Sequence, residues 1–498
     1  MSKYKASVFN YLFNSINAIV MIVNGIIMVP LYFKFMPVST YGAWLATGNV
    51  VGMLGLVESG LSGVITQKMS VAIAEKNDRK FLQLAGANIY TALFMSLTLF
   101  LLGLSIAPFI ADWINADESI KQSITTAYIV SLISAALSLI TSLIGAFPQV
   151  WQETKTTGII TTVVNIIGVF SLVIYLYLGF GVVSLALGYI IRAILNLLGQ
   201  GSWIFIKWRR LNLSRPTYDF AVIKELLKDC FYPFLSRISG VIMGNSQSFI
   251  LAIFISPTLA AVYDITSKIA FVACNFVSMA NGSFFALFSL TFASKNKQEI
   301  NSLIQRVSMF FLTVLFSALL YSLIFSRSIV YFWVGLDKFG GDLLLAFIVI
   351  STLITQLKQY FINLLYAGGL INKSAKLDVF SMILYVLLLF VIVKPAQIYA
   401  VPIATFVSGI LFIGLYLRLL KKYLTVDINE IFNICYKLLI VTMPFVLLHY
   451  LLQLNLLNFA SLTIYGFLFT VIYLFVVGLI NRRYIKMLFI KFTNGNNK

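Results

Sequence analysis

Arg192, Asn196 and Gln200 stand four residues apart inside an otherwise apolar run. That spacing keeps three polar groups on one helix face. An arginine there can hold a carboxylate or phosphate through paired N–H donors. Similar stripes recur along the chain. Asn10, Asn14, Asn17 and Asn24 share a face near the start. Arg237 is followed by Gly240, Gly244, Gln247 and Ser248, and Asp264 by Lys268, Asn275 and Ser278. Thr352, Gln356, Gln359 and Asn363 form a further stripe, with Lys358 on the adjoining face. The deep cations Arg192, Arg237, Lys268 and Lys358 outnumber the deep acids Glu58 and Asp264. Such an excess suits an anionic substrate. The candidate substrate-binding groups are therefore Arg237, Lys268, Arg192, Lys358, Asn14, Asn24 and Gln247. Glu58, Asp264 and Asp378 are the candidates for gating, or for carrying a proton or coupling ion.

The same residues have plainer uses. Asparagine and glutamine stripes hydrogen-bond helices together. Asp264 and Lys268, four apart, can neutralise each other. Arg237, about one turn inside its run, can extend to the interface. Arg192 and Lys358 lie deeper, where that escape is hard.

Each of these stretches must be a membrane span. The chain has 498 residues, 60% hydrophobic and 11% charged. Soluble domains sit nearer half apolar and a quarter charged. Runs of roughly 20 apolar residues, each able to cross a ~30 Å hydrocarbon core, recur throughout. A charge in such a span costs about 2.5–3.5 kcal/mol on insertion scales, so it normally faces protein or water. About fourteen spans are expected in an all-α polytopic membrane protein. The N-terminal MSKYKASVFN leads into an apolar run too long for a cleaved signal, and it is read as the first span. With an even count and a cytoplasmic N-terminus, 25 Lys and Arg residues fall in inner loops and 5 in outer loops. That asymmetry follows the positive-inside rule. It also accounts for the formal net charge of +19 without nucleic acid.

Several chemistries lack their residues. Cys230, Cys274 and Cys435 are far apart, and the single histidine, His449, sits in an apolar run as a helix-packing or interfacial residue. No zinc or haem ligand set is visible. There is no phosphate-binding GxxxxGK[ST] loop. No cofactor is expected.

Two stretches read as helices lying on the membrane. In TYDFAVIKELLKDCFY the apolar Phe220, Ile223, Leu226, Leu227, Cys230 and Phe231 fall at helical spacing, with charges on other faces. DINEIFNICYK opens with Asp427 and Glu430 at capping-box spacing. A repeat of roughly 218–222 residues sets Tyr41 against Tyr263 and WQETKT against INKSAK. The expected organisation is a first lobe of six spans (residues 1–216), an amphipathic connector (217–232), a second lobe of six spans (233–420) and a final pair of spans with a basic tail (421–498). Parallel repeats of this kind place a transport site between two lobes.

Glu58, in GLVESGL, lies about 17 residues into its span, roughly 25 Å down by helical rise. From there it could pair with Arg237 across the lobe interface and act as a gate. A fixed hydrogen bond at the helix end is the alternative.

The asparagine-bearing first span, YGAW (Tyr41–Trp44), ESGL (Glu58–Leu61) and the basic loop KMSVAIAEKNDRK together resemble polysaccharide-type exporters of the multidrug/oligosaccharidyl-lipid/polysaccharide superfamily. The closest likeness is to Wzx-type O-antigen flippases, with Glu58 where an aspartate is more usual. The resemblance covers nearly the whole length. It implies a V-shaped bundle of two six-helix lobes plus two peripheral helices. It implies a non-enzyme of the bacterial inner membrane, with both termini cytoplasmic, acting in polysaccharide and lipopolysaccharide biosynthesis. The implied substrate is an undecaprenyl-pyrophosphate-linked oligosaccharide, flipped from the inner to the outer leaflet by alternating access. Membrane lipids, a polysaccharide polymerase and a chain-length regulator are the implied partners. Arg237 and Lys268 would meet the pyrophosphate or acidic sugars.

Three other readings compete. Exporters of other lipid-linked glycans, such as exopolysaccharide or teichuronic acid units, share these features. A cation-coupled multidrug antiporter should line its cavity with acids, and a glycosyl-transferring polymerase should carry a large outer loop. The longest outer loops here, around Ala111–Ser123 and Ser326–Asp342, are short. A passive scaffold has no need of deep charges.

Overall fold

The computed structural model describes residues 25, 27–54, 61–151, 153–293, 296–424, 426–452 and 458–480. Asn14, Asn24 and Glu58 lie outside them, and with them the asparagine stripe and the Glu58 gate. Every regular element among the described residues is helical. A short helix over 27–35 precedes the long ones. These are α1 (Val38–Leu54), α2 (Leu61–Ala74), α3 (Asp78–Ile106), α4 (Lys121–Ile144), α5 (Thr154–Tyr177), α6 (Val183–Arg210) and α7 (Phe220–Phe254). They continue as α8 (Pro257–Ser283), α9 (Lys297–Val334), α10 (Asp342–Ala367), α11 (Ile371–Ala396), α12 (Ala400–Leu419), α13 (Ile428–Leu452) and α14 (Phe459–Ile480). Among the described residues, nine helical stretches are long and apolar enough to cross a membrane, and one of them, 371–424, holds two of the expected spans. The protein is a multi-pass membrane protein.

Local chemistry sets the helix starts. Asn77 caps α3 by accepting from Lys80 N at 3.0 Å. Asp219 caps α7 through Ala221 N at 2.9 Å, and Asn296 caps α9 through Gln298 N at 3.1 Å. Each such cap satisfies an orphan N–H and stabilises its helix by about 1 kcal/mol. Gly369, with φ +76°, follows the end of α10 in the left-handed conformation that glycine tolerates.

The chain divides into two compact units. The first comprises residues up to Ala261 with Asp378–Ile383 and Val393–Ile398; the second comprises the remainder. In the first, Leu61, Ile65 and Met69 of α2 pack with Phe81 and Leu84 of α3 and Leu132, Leu139 and Leu143 of α4. In the second, Phe311, Leu312 and Leu315 of α9 pack with Tyr360, Phe361 and Leu364 of α10 and with Ile434 and Leu438 of α13. Further along α9, Leu320, Ile324 and Phe325 meet Val441 of α13 and Phe469 and Tyr473 of α14. Tyr321 Oη donates to Gly466 O at 3.0 Å and fastens α14 there. His449 sits beside Tyr465, ring centroids 6.4 Å apart. Tyr41 and Tyr263, paired by the repeat, are each only 3% exposed.

The connector and the span after it form a single helix, α7, of 35 residues. A separate connector helix over 217–232 is therefore not what forms. Leu226 and Cys230 enter the first unit's core, whereas Phe220, Leu227 and Phe231 stay exposed. One edge of the amphipathic face thus packs on protein. Burial pushes the Cys230 thiol up to about 11, with the Asp229 carboxylate adding to it. The start of α7 is held by side chains. Lys68 Nζ lies 2.5 Å from Glu225 Oε1 and 2.6 Å from Asp229 Oδ2. Gln83 donates to Asp219 Oδ2 at 2.9 Å. Gly86 passes so close to Thr217 O that a Cβ would stand 2.0 Å from it. At the other end Asn115 Nδ2 donates to Ala252 O at 3.1 Å and Ile253 O at 2.8 Å. Nearby, a Cβ on Gly42 would stand 1.8 Å from Pro257 O.

The second amphipathic stretch also joins a longer helix, α13. Asp427 accepts from Asn429 N at 3.1 Å, but Glu430 accepts from Gln305 Nε2 of α9 at 3.0 Å. Glu430 thus ties two helices together. Other ion pairs join segments that the charge map places on one side: Glu153 with Lys207 at 2.6 Å, and Lys121 with Asp112 at 2.7 Å.

Candidate functional site

A cavity of about 520 Å³ opens inside the first unit, between α1, α4, α5 and α6. Pockets that enclose small organic ligands fall in this range. Arg192 lies nine residues into α6, about 14 Å along its axis and so mid-helix. Each wall is a stripe at helical spacing. Leu45, Gly48, Asn49 and Gly52 come from α1; Ser131, Ser134 and Ser138 from α4; Asn165 from α5; and Tyr189, Arg192 and Asn196 from α6. No carboxylate lines it among the described residues.

Small residues let the arginine lie here. A Cβ on Gly168 would stand 2.0 Å from Arg192 Cγ, so α5 leaves a groove for the arginine stem. A Cβ on Gly188 would stand 2.8 Å from Leu172 Cβ, and one on Gly199 would stand 2.8 Å from Ile160 Cγ2. These glycines bring α5 and α6 together as small residues do in membranes. Arg192 is 7% exposed. Its Nε donates to Gly188 O at 3.3 Å, and its Cζ lies 4.3 Å from the Tyr189 ring centroid. Trp44 stacks on Tyr189 with rings 12° apart and centroids at 5.9 Å. A cation over an aromatic face gains about 0.5–2 kcal/mol, more when desolvated. Gln200 Nε2 donates to Thr161 Oγ1 at 3.1 Å and contacts Asn196 Oδ1 at 3.4 Å. Ser134 returns its hydroxyl to Val130 O, but Ser131 Oγ is buried with no hydrogen-bond partner among the described residues. An unmet buried hydroxyl costs about 1–3 kcal/mol.

The other expected site residues fall elsewhere. In the first unit, Arg237 is exposed on α7, and Gln247 bonds locally to Met243 O at 3.3 Å. Asp378 is 3% exposed and accepts from Ser236 Oγ at 2.5 Å. In the second unit, Lys268 Nζ and Asp264 Oδ2 are 3.4 Å apart, so the neutralising alternative describes them. Gln356 accepts from Ser278 at 3.1 Å. Lys358 is 9% exposed on α10. Arg192 and Asn196 line this cavity, although the sequence reading placed the site between two lobes. That reading passed over Trp44 as a site residue, and also Asn49, Asn165, Tyr189 and the serine stripe. Ser131, Ser134 and Ser138, spaced three and four apart, carried a signal.

Among solved structures, the chain is similar to the lipid II flippase MurJ in an inward closed conformation. The two share 16% identity with a TM-score of 0.68, over 96% of this chain and 99% of that one. It is also similar to a multidrug resistance MATE family transporter of the MOP superfamily in an inward-facing conformation. That match has 14% identity and a TM-score of 0.65, over 82% of this chain and 96% of the other. An outward-facing structure of such a transporter matches with a TM-score of 0.55 at 14% identity, over 83% and 93% of the two chains. The fold is thus that of the MATE and MurJ transporters. Comparison with curated proteins gives no match. A family model described as polysaccharide biosynthesis protein matches residues 7–292, more than half of the chain. The chain belongs to the polysaccharide biosynthesis protein family.

Proposed function

We propose that this protein moves the head group of a lipid-linked glycan across the bacterial inner membrane by alternating access. The lipid tail stays in the bilayer while the head group passes through the protein. The observation that carries this reading is the mid-helix cavity that presents Arg192, amides and hydroxyls but, among the described residues, no carboxylate. Such a lining holds an anionic, hydroxyl-rich head group and offers a cationic drug no carboxylate among the described residues. The family match and the likeness to a lipid II flippase support the reading. The substrate is an undecaprenyl-pyrophosphate-linked repeat unit of the O-antigen type. Arg237, exposed on α7, meets its phosphates as they enter. Asp378, buried against Ser236, is the described acid placed to carry a proton or coupling ion. No bond of the substrate is made or broken. Both termini face the cytoplasm.

Complementation of a flippase-deficient bacterium tests this, with the protein's own glycan cluster supplied and membrane levels checked by blot. Wild type restores surface glycan. Arg192→Gln and Arg237→Ala insert but fail, and Glu58→Gln fails if that residue gates. Failure of wild type, with export of cationic drugs instead, would replace this reading with the antiporter.

A further inference from the structure

We infer that the place where α11 begins and α12 ends is a binding site for the phosphate of an anionic phospholipid, whose acyl chains lie along the exposed face of α12. The inference goes beyond the transport reading, and only the choice of the inner leaflet rests on it.

Packing within the second unit gathers the site. α12 runs on into a turn of π-helix over Leu420–Leu424. Such i→i+5 turns are rare and are frequent at functional sites. The turn between α10 and α11 presses on it. A Cβ on Gly368 would stand 2.6 Å from Leu424 Cδ1, and Gly369 reverses the chain at φ +76°. Lys373 of α11 and Lys422 are thereby brought to one ring. Their Nζ atoms lie 3.2 Å and 5.4 Å from the Tyr423 ring centroid. Lys376, Arg418 and Lys421 stand near them in sequence, and all five cations and Tyr423 are exposed.

Three observations select a lipid phosphate. Charge is the first. The ring attracts each ammonium, but two like charges at one ring repel each other. A phosphate shared by them replaces that repulsion with charge-assisted hydrogen bonds. Lysines are point charges with rotatable donors, and they need no planar partner. Position is the second. Tyr423 follows the last turn of a span, the level at which tyrosines meet headgroups, and basic pockets between spans on the inner side hold anionic ones. The apolar path is the third. Leu411, Leu415 and Arg418, four and three apart, share a face of α12. Leu411 is 58% exposed and Leu415 36%. That face leads from the hydrocarbon to the cations, so a phosphate bound there keeps its tails in the bilayer. A soluble phosphate would use only the charged end.

The test titrates phosphatidylglycerol or phosphatidylcholine into purified full-length protein in detergent and reads the lipid-bound fraction by native mass spectrometry. Unfolding midpoints are read in nanodiscs of phosphatidylcholine with and without phosphatidylglycerol. Wild type is expected to bind phosphatidylglycerol at least about 10-fold more tightly than phosphatidylcholine, and to melt higher with it. In the double variant Lys373→Gln/Lys422→Gln that preference should fall at least about 10-fold, the scale of one charge-assisted bond, and the midpoint gain should vanish. Lys373→Arg/Lys422→Arg should keep both. So should Lys394→Gln, which removes an exposed cation at the far end of α11. Equal binding of the two lipids would overturn the inference. A preference unchanged in the glutamine pair, or lost as fully in Lys394→Gln, would overturn it in favour of general surface charge. Inorganic pyrophosphate displacing phosphatidylglycerol at equal concentration would overturn the lipid and leave a soluble-phosphate site. If the glutamine pair does not fold, Lys373→Gln against Lys373→Arg decides: loss of charge should weaken the preference, and its retention should not.

Discussion

One deep cation from each unit shows a different setting for charge. In the first, Arg192 lines a polar cavity whose described walls hold no carboxylate. In the second, Lys268 stands 3.4 Å from Asp264, one turn away on the same helix. A paired charge is nearly self-sufficient, and its contribution is local. Arg192 donates instead to a backbone carbonyl and lies over an aromatic face. Counting cations, as the sequence invites, merges two situations that differ in their chemistry.

Substitutions can break that contrast or sharpen it. The largest effect is expected from Gly168→Leu, which fills the groove of the arginine stem. Overpacking should cost about 1–3 kcal/mol, read as a lower unfolding midpoint, with loss of surface glycan. If Gly168→Leu were silent, the position of Arg192 would not matter to function. Next comes Lys268→Met, which leaves Asp264 without its lysine and should destabilise by about 1–3 kcal/mol. Adding Asp264→Leu should recover most of that loss, because removing both partners is far cheaper than removing one. No second substitution among the cavity walls should rescue Arg192→Gln. A rescue there, or none for the pair, would erase the difference between the units. Asp378→Asn should cost less than about 1 kcal/mol in stability, since the amide oxygen still accepts from Ser236. Its effect should appear in the pH dependence of transport if Asp378 carries a proton. Smallest is Lys68→Ala. Glu225 and Asp229 are 65% and 44% exposed, so the clamp should be worth at most about 1 kcal/mol and fade with salt. Burial works to lower Lys68, but the hydrogen bonds it donates to Asp229 and Glu225 hold it above the ordinary lysine range. Its folded value is raised, so this stabilisation is complete below the unfolded lysine value. It is lost only as pH climbs through the raised one. A titration of the unfolding midpoint from neutral to alkaline pH, wild type against Lys68→Ala, checks both points.

Much of this was legible before any coordinates. Apolar runs marked the helices, and four-residue spacing put Arg192, Asn196 and Gln200 on one face. The serines of α4 were hard to read because a mid-span serine can satisfy itself, as Ser134 does with Val130 O. Asp264 and Lys268 offered pairing and substrate binding with equal force, because spacing fixes a face and not a distance. The fusion of connector and span into α7 was also hidden. Pro233 reads as a break at that junction, yet the helix runs through it. Tyr189 and Trp44 are far apart in sequence, so their stacking was visible only in three dimensions.

The way α7 is seated has a mechanical consequence. It is a rod pinned near both ends, by Lys68 and Gln83 at its start and by Asn115 at its finish. A rod held at two points cannot swing on its own. Torque applied to it passes into the body that holds it. Loosening either pin should therefore free one end of the rod, and loosening both should uncouple it from that body.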